Sequence, residues 1–314
     1  MVLASTILVT LGCAPGTQFD APARSQPTSS TRPPSAVSLP DPFVQVAAGV
    51  DFTCAVRASG RLDCFGSNQY GQTSPPAGRF SRISTAGDTR GACGLLTSGQ
   101  VVCWGDWSPQ PLPTGRFSGV CFQDDDGCLI RAGDRHVVCW GNRWADPPVD
   151  FVAASLSCNV VTRCALNGAG RLLCWRTWLE PSEQRHEAFA AVAAGVQYAC
   201  GIRSQDRSLL CWGNQGAAPD TTALAGARYR ALSADDFLLC AVTEGSKLQC
   251  LATPALAISY TMKASEILPP AELAQTPVKD VSCGLDHSCA VLVSGGIACW
   301  GNNAFGAAPR HMGP

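Results

Sequence analysis

The chain has 314 residues, 46% of them hydrophobic and 15% charged, so one large domain or two ordinary ones can bury a sizeable core. A net charge of −1 gives no general attraction to nucleic acid or anionic membrane, and no nucleic-acid partner is expected. The 18 cysteines form a regular series, which points to an oxidising compartment rather than one where thiols are kept reduced. They do not read as a zinc framework: no Cys-x₂₋₄-Cys pair occurs and the four histidines are scattered, so no metal or cofactor is expected.

The apolar stretch from Met1 to Gly12 ends in Thr10-Leu11-Gly12-Cys13. It is shorter than the roughly 20 residues of a spanning helix. Residues 1–13 read as a signal peptide closing on a lipobox-like motif, with Cys13 as the lipidated residue and the lipid as the sole tie to a membrane. Two departures keep an ordinary cleaved signal with an incidental cysteine open as the alternative. No Lys or Arg precedes the apolar run, and Thr10 stands where such motifs usually carry Leu. Residues 14–42 are rich in Pro, Ser and Thr and poor in large apolar side chains. Such a segment cannot bury enough surface to offset its ordering entropy and is expected to be an extended tether.

From Phe43 one pattern recurs seven times, and residues 43–314 are expected to form one domain. Its clearest copy is Val46-Ala47-Ala48-Gly49, then Cys54-Ala55-Val56, a glycine turn, and Cys64-Phe65-Gly66. Cysteine pairs follow at Cys93/Cys103, Cys128/Cys139, Cys164/Cys174, Cys200/Cys211, Cys240/Cys250 and Cys289/Cys299. A period of this size marks a propeller or a solenoid. Short apolar–polar alternations flank each turn, as in a hairpin, and no sustained 3.6-residue period supports a helical solenoid. The fold class is therefore all-β, a seven-bladed propeller. Cysteines straddling a tight turn face each other across two strands within disulfide reach, so one intra-blade disulfide is expected per repeat, with buried thiols as the alternative. The aromatic after the second cysteine (Phe65, Trp104, Trp140, Trp175, Trp212, Trp300, with Leu251 the exception) reads as inter-blade core rather than a ligand cage. Gly49, Gly66, Gly105, Gly141, Gly195, Gly213 and Gly301 read as turn glycines with positive φ. Cys121 and Cys158 lie about one repeat apart and are candidates for an inter-blade bridge, which leaves Cys283 unpaired. The long interval before Cys289 holds an insertion near Ala255 to Thr276, expected to be a loop or a short helix over Glu266 to Leu273.

The repeat, seen fully from Val281 to Gly306, resembles the regulator of chromosome condensation family of seven-bladed propellers. It is closest to bacterial secreted forms with a cysteine pair per repeat, in a superfamily shared with a secreted propeller-type β-lactamase inhibitor. The resemblance implies the fold. For the eukaryotic members it implies nucleotide exchange on a small GTPase, but no residue here is matched to that role, and one fold hosts many functions.

Charge sorts by position in the repeat. The loop before the first cysteine carries Asp51, Asp88, Asp124, Asp125, Asp126, Asp235, Asp236 and Asp286. The hairpin turn carries Arg57, Arg61, Arg131, Arg135, Arg171, Arg203, Arg207 and Lys247. A strand of about five residues separates the two sets, which places them on opposite faces of the disc. They are candidate docking faces for a protein partner, against the simpler reading that both rims are merely solvated. No nucleophile elbow, paired histidine or phosphate loop is present, so no catalytic residue is assigned. The expected function is an exported, monomeric protein-binding or scaffold module. A hydrolase or lyase at the channel mouth and a purely structural lipoprotein are the alternatives.

Overall fold

The computed structural model describes residues 41–85, 90–106, 111–123, 125–141, 151–159, 161–175, 187–213, 216–254 and 264–309. Cys13, the candidate signal, the tether up to residue 40, Asp88 and Asp124 lie outside the described residues. The described chain forms seven three-stranded antiparallel sheets, each built from consecutive strands, and the fold is a seven-bladed β-propeller. The inner strands are Phe43–Ala48, Phe80–Thr85, Phe117–Gln123, Ala153–Cys158, Phe189–Ala194, Tyr229–Ala234 and Val278–Cys283. The middle strands are Phe52–Arg57, Gly91–Leu96, Asp126–Arg131, Arg163–Asn167, Tyr198–Arg203, Leu238–Thr243 and His287–Leu292. An outer strand of four or five residues follows each, from Leu62–Gly66 in the first blade to Ile297–Gly301 in the last. Successive inner strands pack side by side around a central channel, and Val278–Cys283 packs on Phe43–Ala48, which closes the circle.

The middle strands differ from the alternation expected of a hairpin with one wet face. In the first blade Phe52 to Val56 are all buried, and the same run recurs in the other blades. Each middle strand is covered on both sides by neighbouring blades, so both of its faces are apolar. Trp104 shows the packing: it sits on Phe52, Cys54 and Val56 of the preceding blade and meets Phe80 edge-on at 5.7 Å. Trp140, Trp212 and Trp300 are likewise buried.

Every repeat carries its disulfide: Cys54–Cys64, Cys93–Cys103, Cys128–Cys139, Cys164–Cys174, Cys200–Cys211, Cys240–Cys250 and Cys289–Cys299. Each joins directly opposed residues of the middle and outer strands, with Cα atoms 4.0–4.1 Å apart. The two halves of a pair are not equivalent. The first cysteine is fully buried in all seven blades. On the outer strands Cys174 and Cys299 are also buried, whereas Cys64, Cys103, Cys139, Cys211 and Cys250 are only half-buried. The alternative of buried thiols at equivalent core positions therefore fails for these second positions, which are bonded and partly wet. Cys121 and Cys158 are bonded between the third and fourth blades, and Cys283 is a buried free thiol.

Blades are joined at the hairpin-turn end by one repeated backbone hydrogen bond. The first residue of each inner strand donates its N–H to a turn carbonyl of the preceding blade: Phe80 to Gly60, Phe117 to Gly99, Ala153 to Arg135, Phe189 to Gly170, Tyr229 to Arg207, Val278 to Ser246, and, across the closure, Phe43 to Gly295, all at 2.7–2.9 Å. The accepting residue has φ between 63° and 92° in every blade. Four are glycines, which take this conformation at little cost. In the two blades whose cysteines are 11 apart, the longer turn places Arg135 or Arg207 there instead, and Ser246 takes the position in the sixth.

A second joint lies deeper, where the inner-strand residue opposite the first cysteine of the pair reaches the next blade. Ser84, Ser157, Ser233 and Ser282 each accept the N–H of the next inner strand, from Phe122, Ala194, Cys283 and Ala48 respectively, at 2.9–3.1 Å. Cys121 holds the serine position in the third blade and Cys158 the amide-donor position in the fourth. The inter-blade disulfide therefore replaces this serine contact.

Not all the turn glycines serve as expected. Gly49, Gly195 and Gly213 lack positive φ. Close approach explains them instead: a Cβ at Gly49 would lie 2.4 Å from the Phe52 ring, and one at Gly195 would lie 2.2 Å from the Tyr198 ring. Residues 255–263 of the insertion lie outside the described residues; the described part forms two one-turn helices, Ala264–Ile267 and Ala271–Ala274, rather than one, because Pro269-Pro270 lies between them. Its buried Ile267 and Leu273 pack on Trp300, whose indole donates to the Ile267 carbonyl at 2.8 Å. The segment after the first blade treats Trp104 in the same way through the Gln72 carbonyl. The insertion thus covers the last blade.

Cys283 occupies the repeat position of Cys158, and Ser233 that of Cys121. Ser233→Cys should therefore form a second inter-blade disulfide with Cys283. On chain entropy, closing a loop of about 50 residues stabilises by about 4 kcal/mol. Non-reducing peptide mapping should find the introduced cysteine linked to Cys283 with the Cys121–Cys158 bond unchanged, and the denaturation midpoint should fall on reduction. Two free thiols in the variant would refute the equivalence.

Candidate binding faces and the central channel

The loop joining inner to middle strand and the turn joining middle to outer strand lie at opposite ends of the middle strand. Asp51, Asp125, Asp126, Asp235, Asp236 and Asp286 sit at the first end, and Arg57, Arg61, Arg131, Arg135, Arg171, Arg203, Arg207 and Lys247 at the second.

The loop end holds a buried polar network. Thirteen polar or charged residues are buried among the described ones, from Asp51 and Thr53 to His287 and Ser288, and all lie at this end. Asp51 is paired with Arg90 at 3.1 Å and accepts from Gln72 at 3.2 Å. Asp235 accepts the Asp236 N–H at 2.6 Å. Burial pushes the Asp236 carboxyl above its ordinary range, against the opposing hydrogen bonds of Asp235 and Asn159. Asp286 accepts from Asn302 at 2.9 Å. Thr53 links His287 of the last blade, at 2.7 Å, to the Ala307 carbonyl of the C-terminal segment, also at 2.7 Å. Arg163 is fully buried at this end. Unpaired buried polar groups are costly, and the hydrogen bonds at Asp51, Asp235, Asp286 and Thr53 offset that cost within the protein. The carboxylates at this end are for the most part committed inside the protein rather than presented on a rim. Sequence reasoning missed Thr53, Gln72, Asn159, Arg163 and His287; partners such as Thr53 and His287, 234 residues apart, leave no local signal.

At the turn end Arg61, Arg131, Arg171 and Lys247 are exposed, and Arg57, Arg135, Arg203 and Arg207 are partly buried. In the first blade Arg57 and Arg61 share Asp63, at 2.6 and 3.0 Å; burial raises that carboxyl, but the two arginines hold it below the ordinary range. Arg131 meets Asp134 at 2.9 Å. In the fifth and sixth blades Arg203 meets Glu187 at 2.7 Å, while Arg207 and Arg228 share Glu244 at 3.4 and 2.9 Å. Arg135 instead spans two blades, donating to the Ala153 and Ala154 carbonyls and to Ser118.

The channel between the ends has a volume of about 300 Å³ and is lined by all seven inner strands, with Gln45, Arg82, Gln123, Asn159, Asp235, Asp280 and Cys283 among its polar groups. Cys121, Cys158 and Cys283 are the cysteines that line it. The blade disulfides stand farther out, with Cys64, Cys103, Cys139, Cys174, Cys211, Cys250 and Cys299 on the outer strands, so they act as staples and not as part of a channel site. Burial pushes the Asp280 carboxyl up, opposed by Lys279, Arg230 and Arg82. Burial likewise pushes the Cys283 thiol up to about 12, with Asp235 adding to the effect.

The Regulator of chromosome condensation (RCC1) repeat matches residues 43–72 and 278–307, the first and last blades. A 53-residue stretch is 40% identical to the serine/threonine-protein kinase-like protein CCR4 of Arabidopsis thaliana, covering 17% of this chain and only 7% of that protein. Among solved structures, the CRINKLY WD40 ectodomain of the Arabidopsis thaliana receptor kinase ACR4 superposes with a TM-score of 0.68 at 24% identity, over 86% of this chain and 99% of that one. The entire ectodomain of the Physcomitrella patens receptor kinase CR4 gives 0.65 at 22%, over 83% and 74%. Human WBSCR16 gives 0.62 at 12%, over 82% and 88%. The structural likenesses carry the fold alone, and the repeat match is confined to the first and last blades.

The Cys283 thiol yields a prediction. The unfolded chain loses this proton near 9.0, while the folded protein keeps it to about 12. The unfolded state then binds fewer protons, so stability falls as pH rises from 9 toward 12, by about 1.4 kcal/mol per unit for this group. At pH 9 the Cys283 peptide should resist alkylation in the native protein and react once the chain is unfolded. Ready alkylation in the native state would contradict the buried placement.

Proposed function

We propose that this chain is an exported protein-binding module that docks its partner on the hairpin-turn end of the propeller. The observation that carries the reading is the asymmetry of the two ends: the buried polar residues all lie at the loop end, while the turn end presents exposed arginines. A rigid rim of charges suits electrostatic docking, which sets encounter rate and register more than raw affinity. Eight disulfides support export, since they persist in oxidising surroundings. The likeness to receptor ectodomains supports a binding rather than a catalytic role. The anchoring of Cys13 is proposed on its sequence motif alone.

A photo-crosslinking side chain at exposed Ser98, on the turn end, or at exposed Ala304, on the loop end, distinguishes the faces in the native host. The Ser98 protein should give one discrete adduct, weakened as salt shortens the Debye length from about 30 Å at 0.01 M to about 10 Å at 0.1 M. Adducts from Ala304 alone, or from neither position, would end the reading.

A further inference from the structure

The charge of the turn end is unevenly distributed. In the first blade Arg57 and Arg61 lie against Asp63, with Asp41 beside them on the Ser59 turn. In the fifth and sixth blades Glu187 pairs with Arg203, and Glu244 is shared by Arg207 and Arg228. The second and third blades between these sectors are different. Their described turn-end residues, 76–82, 96–101, 113–118 and 131–136, include Arg79, Arg82, Arg116, Arg131 and Arg135 against one carboxylate, Asp134. Asp134 serves Arg131. Arg79 donates to the Ser59 carbonyl, and Arg135 to carbonyls and a hydroxyl, none of which cancels a full charge. Arg82 and Arg116 are exposed and form no ion pair with a described carboxylate; Arg82 stands where the channel opens at the turn end, and it lowers the Asp280 carboxyl through the channel without pairing with it. Among the described residues Arg171, Lys247 and Lys279 at the turn end of other blades also lack a carboxylate partner, but the excess of five arginines over one carboxylate is largest in this sector.

We infer that the turn-end sector of the second and third blades, centred on Arg79, Arg82 and Arg116, is a docking surface for an acidic protein segment rich in Asp and Glu. The inference rests on the reading that the turn end docks the partner, and it adds the partner's chemistry. Guanidinium groups suit carboxylates because their planar fork donates two parallel hydrogen bonds. Charge complementarity selects an acidic surface, and a net protein charge of −1 supplies no general attraction to a long polyanion beyond the sector. The described turn end of these blades also exposes no aromatic side chain on which bases would stack.

The test uses the full chain and a synthetic poly-L-glutamate peptide, with a single-stranded DNA of equal charge as the competing probe. Arg79→Gln/Arg82→Gln/Arg116→Gln should weaken the peptide about tenfold or more at low salt, and Lys247→Gln/Lys279→Gln, at the turn end of the sixth and seventh blades, should leave it within about twofold. The Arg79→Lys/Arg82→Lys/Arg116→Lys protein should retain most of the binding, which separates lost charge from lost fold. The inference is overturned if the peptide does not bind, if the lysine control weakens it as much as the triple variant, or if DNA binds the sector more tightly than the peptide. A Ser98 adduct with peptide binding indifferent to the arginines would remove this inference and leave the docking face standing. Absence of the Ser98 adduct would remove the docking face itself.

Discussion

The hydrogen bond between a left-handed turn residue and the first inner-strand amide of the next blade is the constraint on which the molecule depends. It recurs seven times, and the copy from Phe43 to Gly295 joins the first blade to the last. In six blades a further backbone bond ties the hairpin turn to the start of its own inner strand, as from Ala58 to the Pro42 carbonyl and from Val293 to the Pro277 carbonyl. Each bond contributes only about 1 kcal/mol net, but together they fix the spacing and tilt of successive blades. Among the described residues each blade, including the first and last, is built from its own consecutive strands. The C-terminal segment covers the first blade, with Ala307 accepting from Thr53 and Ala308 packed near Phe65, as the segment after the first blade covers Trp104.

Covalent staples suit blades of this size. A three-stranded sheet with strands of four to seven residues has little core of its own and leans on its neighbours. Closing a loop of about 11 residues contributes about 3 kcal/mol per blade on the chain-entropy model. The staples lie in the outer two strands, and the serine contacts and the Cys121–Cys158 bond join the inner strands. Covalent and hydrogen-bonded restraints thus act at different radii. Between them the two ends can differ in character: one is a closed polar network, the other a rim of cations. That division gives the docking proposal its physical basis.

The blade count and the disulfides were legible because cysteine spacing is local and each pair straddles its own turn. The opposed ends were legible for the same reason, since a constant offset along a strand becomes a constant side of the sheet. What a position means was not. Asp51, Asp126 and Asp235 read as rim charges, yet they are buried. Asp63, Glu187 and Glu244, which pair with turn-end arginines, lie outside the motif and escape a reading by repeat position. The serine joint had a usable signal: Cys121 stands seven residues before Cys128, as Ser282 does before Cys289. The carbonyl ring had none, because it is made by backbone alone.

Residue-resolved native-state hydrogen exchange at the inner-strand amides is the most direct test of a closed ring. The amides of Phe43, Phe80, Phe117, Ala153, Phe189, Tyr229 and Val278 should exchange with similar, high protection, opening only as the whole propeller unfolds. If the Phe43 amide exchanged orders of magnitude faster than the other six, the first and last blades would part in the native state. The Phe43–Gly295 bond would then not close the circle, and a fixed rim of charge spanning the blades would lose its foundation.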